Sequence, residues 1–207
     1  MLKKLLKPMY VFYKQKKEFL RFKIALFRYQ SEPKIVVGSC SIYNNGWIPT
    51  EEHFLNLLDE NDWTKYFKEG SVLNILAEHV WEHLSLENGG IAARTCYKFL
   101  KKGGKLRVAV PDGFHFDKKY IDYVKPDGNG IGADDHKVLY DYKLITEAFS
   151  KVGFRIELLE YFDETKKFHS TDWDSSDGHI HRSIRYDGRN KDGKPNYTSL
   201  IIDAVKE

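Results

Sequence analysis

Apolar positions in the first thirty residues recur at helical spacing. From Lys34 onward they gather instead into short runs separated by turn residues. Leu2, Leu5, Leu6, Met9, Phe12, Phe19, Phe22, Leu26 and Tyr29 fall mostly three, four or seven apart, which predicts a helix over most of this leader. Pro8 is expected to kink or restart it, and Pro33 to end it. Beyond the leader, residues 34–37 read as a buried strand entering Gly38-Ser39-Cys40-Ser41. Gly46-Trp47-Ile48 reads as a second short strand, 54–58 as a third and 72–77 as another apolar run. Helices are expected over 60–68, over 86–102 with Gly103-Gly104 closing it, and over 140–152. Residues 105–110 and 154–162 read as strands, and 180–186 is expected to pair with Ser199–Val205 as a hairpin.

Strands alternating with helices predict an α/β chain. The sheet should be Rossmann-like and mostly parallel, covered on both faces, with antiparallel strands at the C-terminal end. Ligands of such sheets bind beyond the carboxyl ends of the strands. That rule selects 38–41, 50–52, 78–83, 111–116 and 133–136.

The chain has 207 residues, a formal charge of +3 and a mean hydropathy of −0.54, with no apolar run long enough to cross a membrane. Its two cysteines, Cys40 and Cys96, sit in different elements, which excludes a disulfide framework or zinc ribbon and favours a reducing compartment. The net charge conceals an asymmetry. Residues 1–30 carry nine Lys/Arg against the single acid Glu18, or +8, which leaves −5 for the rest. Two units follow: a basic amphipathic extension over 1–30 and an acidic globular body over 31–207. The extension suits either a peripheral contact with anionic lipid or a helix packed on the body. No nucleic-acid reader motif accompanies it, so no nucleic acid is expected.

The strand ends carry the candidate chemistry. Gly38 allows backbone N–H groups to approach a ligand, and an acid at the end of the second strand, Glu51, can accept both hydroxyls of a ribose. Glu78-His79-Val80-Trp81-Glu82-His83-Leu84 leaves a buried strand for a helix, with Glu78 and His79 nearest a ligand and Glu82 and His83 in hydrogen-bonded support. His79 and His83 have metal-ligand spacing, but the order His-Glu-x-x-His is absent and no third ligand is marked, so no metal is expected. The polar cluster Asp172 to His181 reads as a turn-rich lid or a solvated loop.

The strand before EHVWEHL, the helix ending KFLKKGG and the following KLRVAVPD resemble a class I S-adenosylmethionine-dependent methyltransferase. The similarity is to the type 11 group and its small bacterial relatives, and runs from Lys34 to the C-terminus. It implies that Gly38, Ser39 and Cys40 form the cofactor's methionine loop, that Glu51 binds the ribose, and that Glu78 and His79 lie by the methionine end. The family usually places glycine where Cys40 stands and Asp where Glu51 stands. If position 40 needs φ > 0, a non-glycine there costs ~1–2 kcal/mol. Eight residues separate Gly38 from Trp47, too few for the usual first helix, so a compact variant lacking that helix is expected; if the leader packs on the body, the uncovered sheet face is where it would lie.

The resemblance implies in-line transfer of a methyl group from S-adenosyl-L-methionine to a small-molecule or saccharide acceptor. Candidate bases are His115, Asp134, Asp135 and His136, in loops expected above the sheet. The alternative is a catalytically impaired binding or scaffold protein of the same fold. The expected location is the cytoplasm, at the inner membrane face if the leader meets lipid.

Overall fold

A computed structural model describes residues 2–40 and 44–207, with side chains from Pro8 onward. Ser41, the last residue of the expected strand-end loop, lies outside the described residues. Helix α1 (Leu2–Tyr29) runs unbroken through Pro8. Then come β1 (Lys34–Val36), β2 (Ile48–Pro49), α2 (Glu60–Thr64), β3 (Val72–Glu78), α3 (Leu86–Phe99) and β4 (Leu100–Pro111). Helices α4 (Lys118–Val124) and α5 (Tyr142–Ser150) precede β5 (Arg155–Phe162), β6 (Phe168–Ser170) and β7 (Ser199–Val205). The seven strands form one sheet in the order β2-β1-β3-β4-β7-β5-β6. β2, β1, β3 and β4 are parallel, whereas β7 inserts antiparallel between β4 and β5, and β6 is antiparallel to β5. The strand order reverses at β1, which has β2 on one side and β3 on the other. That reversal places a crevice at their carboxyl ends.

Side-chain alternation along the strands builds two cores. Ile35, Ile75, Ala77, Val108 and Ile202 face Trp63 of α2, Cys96 and Phe99 of α3, and Phe149 of α5. Val36, Leu76, Ala109 and Ile201 face the other way, toward Trp47, Trp173 and Ile180. No helix covers this second face among the described residues. An irregular strap, residues 171–198, lies across it instead. The leader therefore does not replace a missing first helix there. Phe22 of α1 is fully buried in the larger core, with its ring 4.8 Å from Phe54 and 4.7 Å from Tyr66. Tyr29 Oη donates to Asn45 Oδ1. Toward the other end of α1, Met9, Tyr10, Phe12 and Tyr13 are exposed.

The strap is fixed by a buried polar network. Arg107 Nε and Nη2 donate to the two Asp203 oxygens at 2.7 and 2.8 Å, and Nη1 donates to the Asp174 and Gly178 carbonyls at 2.7 Å. Lys105 Nζ joins Asp177 at 2.8 Å, and the Arg107 and Arg185 guanidiniums lie 4.7 and 5.0 Å from the centre of the Trp173 ring. Glu160 Oε1 accepts from Trp173 Nε1, and Oε2 accepts from Ile184 N and Thr198 Oγ1.

Three expectations from periodicity are corrected. Residues 180–186 form no strand: Ile180 is committed to the second core, Ser183 closes a turn on Ile180 O, and Ser199 N donates to Arg182 O at 3.0 Å without a ladder forming. Residues 54–58 form turns over Glu51 O, held by Asn56 Oδ1 accepting from Leu58 N. Gly103-Gly104 does not cap α3, because Leu100 already pairs with Val72 and the register then jumps to Asn74 opposite Lys105. The glycines form the bulge between those pairs, with Gly103 at φ +79°.

Candidate functional site

Past β1 the chain turns where only glycine fits. Gly38 has φ +60°, and a Cβ there would lie 2.9 Å from Val80 Cγ2. Ser39 N donates to Thr50 O at 3.0 Å, and its Oγ donates to Glu51 Oε1 at 2.6 Å, which ties the first strand's end to the second's. Cys40 follows at φ +45°, the left-handed region that disfavours any Cβ. Partial burial, and then the Glu51 carboxylate, push its thiol pKa up, which disfavours the thiolate. Cys40→Gly should stabilise the chain by about 1 kcal/mol, since relief of left-handed strain exceeds glycine's added entropy in the unfolded chain. Urea midpoints of the two proteins measure this, and an unchanged or lower midpoint would show that the loop carries no strain at Cys40.

Past β3, Glu78 turns toward the strap: its Oε1 accepts from Arg182 N at 2.8 Å and Oε2 lies 3.0 Å from His181 Nδ1. His79 also has a positive φ, +56°, pinned by its N–H on Ala109 O. Its Nδ1 lies 2.8 Å from Glu82 Oε1, and its Nε2 lies 3.0 Å from Ser199 Oγ. Glu82 is fully buried. Burial works to raise its carboxyl pKa, but the His79 charge and hydrogen bond outweigh it and leave the group below its ordinary value. Glu82 O accepts from Lys137 N and Val138 N, which docks the short turn Ala133–Asp135 and His136 beside the 3-10 turn Trp81–His83.

These groups line adjoining recesses. One cavity of about 280 Å³ is bounded by Gly38, Ser39, Cys40, Glu78, His79 and His136, with His179, His181 and Arg182 from the strap. A second of about 440 Å³ shares Gly38, Cys40 and His79, and adds Glu51 with Leu57, Leu58, Val80 and Leu84. A third of about 260 Å³ shares His79, His136 and Arg182 with the first, and adds Tyr123, Tyr197 and Arg189. His79 stands where all three meet. The expected residues Gly38, Ser39, Cys40, Glu51, Glu78 and His79 thus gather round one cleft at the strand-order reversal.

Of the expected bases, Asp135 borders the second recess and His136 the first and third; the other two do not gather with them. Asp134 is exposed and lines none of these recesses. His115 is sealed in the protein, 1% exposed and stacked 3.9 Å from the Tyr120 ring, with Nδ1 accepting from Asp117 N. Burial pulls its imidazole pKa down to about 4. An imidazole held neutral by folding contributes stability above its unfolded value of ~6.5, and that contribution is lost as pH falls through the folded value. His115→Phe should therefore flatten the decline of the urea midpoint between neutrality and pH 4. An unaltered decline would place the acid sensitivity elsewhere.

No family model matches this chain, and no curated protein matches it by sequence. Solved structures do match. A SAM-dependent methyltransferase from Thermotoga maritima, at 12% identity, aligns over 94% of this chain and 95% of that one with a TM-score of 0.52. An S-adenosylmethionine-dependent methyltransferase from Mesorhizobium loti, at 10% identity, aligns over 85% and 91% with a TM-score of 0.50. The fold is that of a class I S-adenosylmethionine-dependent methyltransferase.

Within this methyltransferase fold, the strap supplies cleft residues that periodicity did not mark: His179, His181 and Arg182. Their signal was the density of Asp, His and Ser from 172 onward, which gave no partner for any of them. Glu78 is the partner of His181 and of the Arg182 backbone N–H. No helix among the described residues is long and apolar enough to cross a membrane.

Proposed function

We propose that this chain binds S-adenosylmethionine along the cleft and transfers its methyl group to a small hydroxylated or saccharide acceptor. The observation that carries the reading is the pairing of Gly38, where a Cβ would strike Val80, with Glu51 across the strand-order reversal. Glu51 Oε1 is held by Ser39, while Oε2 accepts no hydrogen bond among the described residues and is available to a ribose. Leu57, Leu58, Val80 and Leu84 offer an apolar bed for an adenine ring, and the Gly38 loop with His79 borders the space for the methionine end. S-adenosylmethionine supplies an electrophilic methyl group on a sulfonium when bound.

The chain's own work is positioning. His79 stands at the meeting point of the recesses, with Glu82 against Nδ1 and Ser199 Oγ 3.0 Å from Nε2, so an acceptor hydroxyl that displaces Ser199 from Nε2 would give its proton there. The acceptor recess holds only about 260 Å³ and carries the Tyr123 and Tyr197 rings, which suits a small ring-shaped acceptor. Transfer of labelled methyl from S-adenosylmethionine to pools of small hydroxylated metabolites and saccharides, and separately to proteins and nucleic acids, tests this. Label should enter the small-molecule fraction alone and be lost with Glu51→Ala. Label confined to a macromolecule would overturn the acceptor assignment.

A further inference from the structure

Beside His79, on the cleft floor, lies a second constellation that methyl transfer by itself does not explain. Glu82 and His83 come from the Trp81–His83 turn, and His136 follows the Ala133–Asp135 turn. One ligand atom from each lies within 4.8 Å of the other two. Ligand atoms sharing a first-row ion at ~2.1 Å sit about 3.0–3.5 Å apart, so modest side-chain movements would close the set. Both imidazoles are prepared for this. His83 Nδ1 lies 3.2 Å from Asp135 Oδ2 and His136 Nδ1 lies 2.6 Å from the Val124 carbonyl. A proton held on Nδ1 by such an acceptor leaves the Nε2 lone pair for a metal, the arrangement found around liganding histidines.

The second, independent observation is Glu82 itself. The residue is 0% exposed, and its Oε2 has no hydrogen-bond partner among the described residues. A buried carboxylate oxygen left unpaired is costly and needs an explanation. The nearby Lys137 ammonium does not provide one, since it pairs with the exposed Asp135 carboxylate at 3.3 Å.

We propose that Glu82, His83 and His136 bind a divalent first-row transition-metal ion at the floor of the cleft. Two imidazoles and one carboxylate suit zinc, manganese, iron or cobalt rather than the all-oxygen shells of magnesium or calcium. Three protein ligands leave coordination positions open, and all three residues border the 280 Å³ cavity. On the methyl-transfer reading, to which this part is tied, an open position receives an oxygen of the acceptor, so the acceptor is a hydroxyl compound able to ligate a metal. The metal site itself stands without that reading.

The test is Mn²⁺ titration of the full chain, stripped of metal by chelation, followed by electron paramagnetic resonance. One site per chain is expected, weakened at least ~10-fold by Glu82→Gln and by His136→Ala, with His169→Ala unaffected. Circular dichroism reports whether Glu82→Gln folds; the partly exposed His136 keeps the test decisive if it does not. No bound Mn²⁺ at millimolar metal, or affinity retained in folded His136→Ala, overturns the proposal. Mn²⁺ bound at these residues in a chain that fails to bind S-adenosylhomocysteine would keep the site and remove only the methyl-transfer reading.

Discussion

Asp203→Asn should lower stability by about 3–5 kcal/mol, the cost of stranding a buried charge without its partner. For a chain of this size that corresponds to a fall in Tm of roughly 6–20 °C. Arg107 and Asp203 are each about 1% exposed or less, joined by two parallel hydrogen bonds, and Arg107 also holds the Asp174 and Gly178 carbonyls of the strap. Removing the carboxylate charge leaves the guanidinium dry and half paired, with Lys105 also losing its 3.4 Å contact. The pair as a whole is worth far less than either half. A double replacement, Arg107→Met with Asp203→Leu, should therefore cost less than the single Asp203→Asn. Thermal melts of the three proteins decide this, and a single variant within 1 °C of the parent would show that solvent reaches the pair.

The second large effect is on binding. Glu51→Ala should weaken S-adenosylhomocysteine by about 10- to 150-fold, as expected for loss of charge-assisted hydrogen bonds of ~1.5–3 kcal/mol in all. The same substitution frees Ser39 Oγ, which now donates to Glu51 Oε1 at 2.6 Å, so part of the loss reflects a looser strand-end loop. Glu51→Gln separates the two causes. It retains an acceptor for Ser39 but gives up the charge that two ribose hydroxyls would share, so it should fall between Glu51→Ala and the parent. Competitive displacement of a labelled cofactor analogue measures all three. Equal affinity in the parent and Glu51→Ala would remove Glu51 from the ribose site.

Residues placed by strand ends were legible because a strand end is a local feature. A buried apolar run stopping at Gly38 or at Glu78 fixes which backbone enters the cleft, whatever the rest of the chain does. The 2.9 Å approach of Val80 to a Cβ at Gly38, and the positive φ of Cys40, follow from that same turn. The strap was not legible, because its 28 residues have no period to read. Its position is set by Arg107, Asp203 and Glu160, which look in sequence like ordinary strand residues and reveal their partners only once the sheet is assembled. The same limit explains His115. In sequence a histidine after a strand end reads as a cleft residue, and only stacking on Tyr120 and Phe116 shows that it belongs to the interior. Phe22 shows the reverse: one position in a basic helix settles where the leader packs, because its ring fits between Phe54 and Tyr66.

The proposed role of the cleft between Gly38 and Glu51 as a site for S-adenosylmethionine stands or falls on ligand binding. Isothermal titration of the full chain with S-adenosylhomocysteine tests it most directly, because it needs no acceptor and no turnover. Saturable binding at one site per chain is expected, weakened by Glu51→Ala in a protein that melts normally. No heat of binding at millimolar ligand, from a folded chain and at two temperatures so that a vanishing enthalpy is excluded, would contradict it.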